Sequence, residues 1–126
     1  MNYPKLVFVY GTLMEGYSNN SYLSTSEKVG NSIINGYGLY NVVGGGFPGI
    51  IPYKDGVVHG EVWSIPDADV ERNLDWLEGV SGNRGMYRKE VVDTEYGEAL
   101  VYVWNSPTPE YNYIEGGSWD RFTMGK

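Results

Sequence analysis

Residues 7–16 read VFVYGTLMEG: strand-forming side chains run without a polar break into Gly11-Thr12-Leu13. Extended back to Leu6, the run is bounded by Pro4-Lys5 and Gly11, the pattern of a strand covered on both faces. Such a strand implies a layered sheet. Where it stops at a glycine, backbone N–H groups are left without ladder partners. The turn is then either mere topology or a nest of donors offered to an anion.

Outward from this strand the chain alternates extended segments with few helices. Val29 to Val43 reads as extended, interrupted by Gly36 and Gly38, which predicts a bulge or sharp bend. Asp55-Gly56 predicts a hairpin turn into a long strand over Val57 to Ile65, stopped by Pro66. Val91 to Thr94 and Ala99 to Trp104 flank Glu95-Tyr96-Gly97-Glu98 as a further hairpin. A short helix is predicted over Asn20 to Glu27, with Asn19 or Asn20 as its N-cap and Tyr22 and Leu23 facing inward. A longer one follows Asp67, with Val70, Leu74 and Leu77 as its inward stripe and Gly79 as its stop.

The fold class expected is α+β: a small, twisted, mixed but largely antiparallel sheet or barrel with one long and one short flanking helix. A chain of 126 residues suits a single domain over 1–126, with 105–126 as an aromatic, Pro/Gly-rich tail docked by its rings. Its 18 Gly, 12 Tyr and 4 Trp fit a turn-rich, aromatic-lined β structure rather than a helical bundle.

Composition removes much of the catalytic repertoire. With 9 Lys+Arg against 16 Asp+Glu and a net charge of −7, the chain lacks the basic stripe that nucleic acid or an anionic membrane requires. There is no cysteine and only His59, so a thiol nucleophile, a His-built metal site and a Ser-His-Asp triad are all disfavoured. The N-terminal residues enter a strand pattern with no signal-peptide core, and no apolar run reaches the roughly 18 residues of a membrane span, so a cytoplasmic protein is expected. Gly44-Gly45-Gly46-Phe47-Pro48-Gly49 formally spells GxGxxG. The dinucleotide motif needs a helix to open within it, and Pro48-Gly49-Ile50-Ile51-Pro52 cannot supply one, so a surface loop is expected instead.

Among groups able to do chemistry, Glu78 stands out. It lies one turn after Leu74 at the end of the long helix, beside the apolar stripe and at the negative end of the helix dipole. Both neighbours disfavour the charged form, so its pKa should rise towards that of a general acid/base working near neutrality. The bland alternative is an exposed C-terminal Glu that tolerates the dipole. Glu61 is either solvent-facing or a second catalytic carboxylate, and His59 is either structural or a base. Tyr87, Tyr102 and Tyr113 suit core or pocket wall, while Thr12 and Asn19 could bind a ligand or brace the loop.

Taken together, Val7-Phe8-Val9-Tyr10-Gly11-Thr12-Leu13, Gly16, Asn19, Gly60-Glu61-Val62-Trp63, Leu74-Asp75-Trp76-Leu77-Glu78, Tyr87 and Val101-Tyr102-Val103 resemble the γ-glutamyl cyclotransferase-like superfamily, most closely its γ-glutamylamine cyclotransferase and AIG2-like branch. The resemblance covers nearly the first 105 residues. It implies a small β-barrel with a pocket between the Tyr-Gly-Thr-Leu loop and the helix-borne glutamate. Loop amides at Tyr10, Gly11, Thr12 and Leu13 would hold the α-carboxylate of a γ-glutamyl group, with Asn19 and Tyr87 also on the substrate. Glu78 would be the general acid/base that lets the substrate's α-amine attack its γ-carbonyl, releasing 5-oxoproline and a free amine. The resemblance implies a small γ-glutamyl substrate, with no cofactor and no metal; a monomer is expected.

Two departures from the family pattern bear on the substrate. The loop 79–86 looks longer than in relatives, and Tyr87-Arg88-Lys89 stands where they often have Tyr-x-Arg; both are expected at the pocket mouth. Two other classes stay open at this level. One is a non-catalytic module that binds a small ligand in the same pocket. The other is a hydrolase using Glu61 and Glu78 as a carboxylate pair, which needs a separation of roughly 5 to 9.5 Å.

Overall fold

The computed structural model describes residues 3–42, 48–79, 86–106, 108–109 and 112–124. Its order is β1 (Lys5–Val9), a 3-10 helix (Ser18–Leu23), β2 (Lys28–Asn41), β3 (Pro48–Ile65), α1 (Ala68–Leu77), β4 (Tyr87–Thr94), β5 (Gly97–Trp104) and α2 (Trp119–Met124). The strands form one mixed five-stranded sheet, ordered β2-β3-β1-β5-β4. Three pairings are antiparallel, and β1 with β5 is parallel. The apolar run places β1 at the centre: Val7, Phe8 and Val9 are all but inaccessible, as expected of a strand covered on both faces.

The expected barrel is not closed by a backbone ladder among the described residues. The sheet has two edges, β2 and β4, and curls until side chains bridge them. Tyr37 donates to Glu90 Oε1 at 2.6 Å, and the Tyr96 hydroxyl donates to the Asn31 carbonyl at 3.2 Å.

The long helix forms where its signals placed it. Asp67 Oδ1 accepts the Val70 N–H at 3.0 Å, Val70 and Leu74 are buried, and Gly79 at φ 63 turns the chain out of the helix. The short helix differs. It is a 3-10 helix over Ser18–Leu23 rather than a helix over 20–27, and Tyr17 at its N-cap makes no side-chain capping bond. Asn19 and Asn20 are drawn to the β1 loop instead, where their amides find better acceptors.

Asp55-Gly56 is no hairpin turn. β3 runs straight through it, and residues 53–56 stand opposite the single Gly36 as a bulge in the β2–β3 ladder. The Gly36–Gly38 irregularity was therefore read correctly, but its partner was taken for a turn. The predicted 44–49 loop falls largely on residues outside those described. The tail contains a helix, α2, beyond the ring contacts expected of it: Trp119 is buried, and Tyr113 stacks on Tyr53 at 5.1 Å. No helix among the described residues is long and apolar enough to cross a membrane.

Candidate active site

The turn after β1 is tied down through its carbonyls. Met14 N–H donates to Gly11 O at 3.0 Å, Asn19 N–H to Thr12 O at 3.1 Å, and Asn20 Nδ2 to Leu13 O at 2.8 Å. The Asn19 side chain donates to Thr12 Oγ1 at 2.9 Å, so these two residues brace the loop. Its exit is clamped from β3, where the buried Glu61 Oε1 accepts both Glu15 N–H and Trp63 Nε1–H at 2.9 Å. By contrast, the N–H groups of Thr12 and Leu13 find no acceptor among the described residues. A turn with fixed carbonyls and free amides presents donors to an anion.

Gly11 is required by a close approach. A Cβ there would lie 2.3 Å from Cγ of Pro48, at the start of β3. Pro48, read in the sequence only as the breaker of a false dinucleotide motif, is a wall of the site. Its carbonyl accepts the Tyr87 hydroxyl at 2.6 Å.

Between this loop and the end of α1 lies a cavity of about 270 Å³. Tyr10, Gly11, Thr12, Leu13, Asn19, Glu78 and Tyr87, the residues that the family resemblance put on the substrate, all line it, whereas Tyr113 does not. Leu77, Met86 and Trp104 supply apolar wall, and Tyr102 closes it from β5.

Glu78 occupies the C-cap of α1, its N–H bonded to Leu74 O at 3.0 Å. The residue as a whole is half-buried but its carboxyl lies deep, and the loss of hydration there pushes it up to about 7. The same burial, with Glu78 nearby, pushes the Tyr87 phenol well above its ordinary range, so it stays protonated at neutral pH. Tyr10 behaves likewise, with burial first and then Tyr87 and Glu78 as neighbours.

Several expectations need correction. Glu61 is neither solvent-facing nor a second catalytic carboxylate: it lies outside this cavity and holds the loop by its backbone. The carboxylate-pair reading thus loses its second member. His59 is exposed and also outside the cavity, its N–H engaged by Gly117 O at 2.8 Å. Lys89 is not at the pocket mouth. It lies against α1, where Nζ meets Glu71 Oε2 at 2.7 Å and Asp75 Oδ2 at 2.9 Å. Arg88 turns away to Glu90 at 2.7 Å. Within the loop 79–86, residues 80–85 lie outside those described.

The sequence reading passed over Asp75, whose Oδ1 accepts the Tyr102 hydroxyl at 2.7 Å. The available signal was its i, i+3 spacing from Glu78, which puts both carboxylates on one side of the helix. Among the described residues no cluster of three His, Cys, Asp or Glu is arranged to hold a metal.

This architecture is shared. An uncharacterised protein of Pyrococcus horikoshii superposes with a TM-score of 0.79 at 25% identity, over 96% of this chain and 94% of its own. A mouse AIG2-like protein has the same fold, with a TM-score of 0.76 at 21% identity over 91% of this chain and 87% of its own. In sequence, the γ-glutamylcyclotransferase family protein YtfP of Escherichia coli K12 is 33% identical over 113 residues, covering 90% of this chain and 94% of that protein. Residues 7–121 match the family described as gamma-glutamyl cyclotransferase, AIG2-like, a span that takes in the amide-bearing turn, the α1 glutamate and the strands between them. The chain belongs to the AIG2-like γ-glutamyl cyclotransferase family.

Proposed function

We propose that this protein is a γ-glutamyl cyclotransferase that converts a γ-glutamylamine, or a related γ-glutamyl amide, into 5-oxoproline and a free amine. The observation that carries this reading is the pairing, in one cavity, of the free amides after β1 with a carboxyl raised to about 7. The amides of Thr12 and Leu13 receive the substrate's α-carboxylate, which orients the γ-glutamyl arm across the cavity towards α1. Glu78, ionised, takes one proton from the α-ammonium. The freed nitrogen lone pair forms a bond to the γ-carbonyl carbon and closes a five-membered ring. Glu78 passes its proton to the leaving nitrogen and takes the second proton from the ring nitrogen, which becomes the amide N–H of 5-oxoproline. As the intermediate collapses, the bond from that carbon to the leaving nitrogen breaks, and the departing amine takes up the second proton to leave as an ammonium.

A group that must accept a proton and then donate it works best when its pKa lies near the operating pH. Cyclisation is intramolecular, so holding both ends of the substrate supplies much of the rate. Neither step needs a thiol or a histidine.

The test is incubation with γ-glutamyl-ε-lysine, γ-glutamyl amino acids and glutathione, with 5-oxoproline measured as the shared product. Release from at least one, lost in Glu78→Gln, is the expected result. Tight binding without 5-oxoproline from any of them would turn the reading into that of a ligand-binding module.

A further inference from the structure

Three tyrosines in the cavity wall have hydroxyl protons already committed to the protein. Tyr10 donates to the Tyr102 carbonyl at 2.6 Å, Tyr87 to the Pro48 carbonyl at 2.6 Å, and Tyr102 to Asp75 Oδ1 at 2.7 Å. A phenol has one proton and lone pairs, so once the proton is given away the oxygen can only accept. The Tyr10 oxygen already meets the Ile50 N–H. Among the described residues, the lone pairs left for a ligand are those of Tyr87 and Tyr102. Such a wall suits a ligand that brings N–H donors and disfavours one that brings only acceptors.

Tyr102 is the better placed of the two to be under control. Its acceptor, Asp75, stands on α1 one turn before Glu78, and Lys89 holds the other Asp75 oxygen at 2.9 Å while also meeting Glu71 at 2.7 Å. Asp75 is therefore anchored and charge-paired, and it keeps the Tyr102 proton pointing out of the cavity. Were that proton free to turn towards Glu78, it would favour the ionised carboxylate and weaken it as a base.

The geometry points to Tyr102 as a further substrate-touching residue, its oxygen accepting a hydrogen bond from the substrate's α-ammonium, and to Asp75, held by Lys89, as the residue that positions it. The identity of the substrate here rests on the cyclotransferase reading above. With one N–H given to Glu78 and another held on the Tyr102 oxygen, the nitrogen is steered as its lone pair forms.

The test pairs a variant with a ligand change. γ-Glutamyl-n-butylamide and glutaryl-n-butylamide differ only in the α-amine, and their binding to Glu78→Gln, which cannot turn either over, is measured by calorimetry with and without Tyr102→Phe. The phenylalanine is expected to weaken the amine-bearing ligand about tenfold to a hundredfold, as for one hydrogen bond to a charged group, and to change the other by less than about twofold. Equal losses for both ligands, or none, would overturn the contact, and binding of neither ligand at millimolar concentration would overturn both the contact and the pocket assignment. For positioning, Asp75→Asn is introduced in the Tyr102 and Tyr102→Phe backgrounds and 5-oxoproline formation is followed. Its penalty should vanish in the phenylalanine background, whereas additive penalties would reduce Asp75 to a structural role. Should Asp75→Asn not fold, Lys89→Met provides the same cycle from the other partner. A wild-type protein that makes no 5-oxoproline yet keeps the ligand contrast would sink the cyclisation reading alone. Turnover without the contrast would sink only this inference.

Discussion

Glu71 and Glu78 belong to the same helical segment and have opposite acidities. Burial raises both. At Glu71 it is outweighed by Lys89 at 2.7 Å, Tyr3 at 2.5 Å and Lys5 at 2.9 Å, which together hold the carboxyl at about 2. At Glu78 burial acts with no such partners among the described residues, and the carboxyl stands at about 7. Burial alone therefore does not distinguish a structural carboxylate from a reactive one. The donors brought by β1, β4 and the N-terminal segment do.

The largest effect expected from breaking this contrast is at its reactive end. Glu78→Gln keeps the shape but accepts no proton, so 5-oxoproline formation should fall by about 10²- to 10⁴-fold while the protein stays folded. Wild-type turnover in a folded Glu78→Gln protein would remove Glu78 as the base. Its stability should move the other way. Because the folded-state pKa lies above the ordinary 4.5, the wild type loses stability as pH rises from that value through about 7. Glu78→Gln should thus gain on the wild type between pH 5 and 8 in urea titrations, and a constant difference would argue against a raised carboxyl.

At the other end, Glu71→Gln should lower stability at pH 7 by about 2 kcal/mol, since three donors lose an ionised acceptor but the lysines can rehydrate. Here the sign reverses. The depressed carboxyl contributes fully above the ordinary 4.5, and its contribution fades as pH falls towards about 2, so the two proteins should converge in acid. Unfolding curves at stepped pH decide this, and a gap that persists in acid would mean the loss is one of packing.

A smaller effect is expected at the anion end of the cavity. Gly11→Ala pushes a methyl into Pro48, and the displaced amides should weaken binding of a γ-glutamyl ligand about tenfold, the worth of roughly one hydrogen bond. Unchanged affinity in a folded variant would count against the donor nest. The smallest is a fraction of a proton. A ligand carboxylate entering beside Glu78 should raise its proton affinity further, so binding near pH 7 should take up protons, seen as buffer-dependent heats in calorimetry. Heats that do not vary with buffer would place the ligand charge away from Glu78.

Much of this was legible in the chain because its signals are local. The apolar run into Gly11, the Asp67 cap, the Val70-Leu74-Leu77 stripe and the Gly79 stop act over a few residues, and the structure places each as read. Glu78 stood out by its place on the helix, the family resemblance named the Tyr10–Leu13 turn, Asn19 and Tyr87 beside it, and all of them meet in one cavity. Asp55-Gly56 misled because a dipeptide that favours a hairpin also suits a bulge, and the β2 ladder decides between them.

The sequence by itself determined where β1 is buried, where α1 begins and ends, and that a carboxylate closes that helix beside apolar residues. These follow from side-chain periodicity and caps, which operate within one or two turns of chain. Only the tertiary structure decided that Glu61 clamps a loop, that Lys89 backs the helix instead of guarding the pocket, and that Tyr102 turns its proton to Asp75. Those outcomes depend on which donors meet which acceptors across the sheet, between residues as far apart in sequence as Tyr3 and Glu71, and no local pattern encodes such meetings.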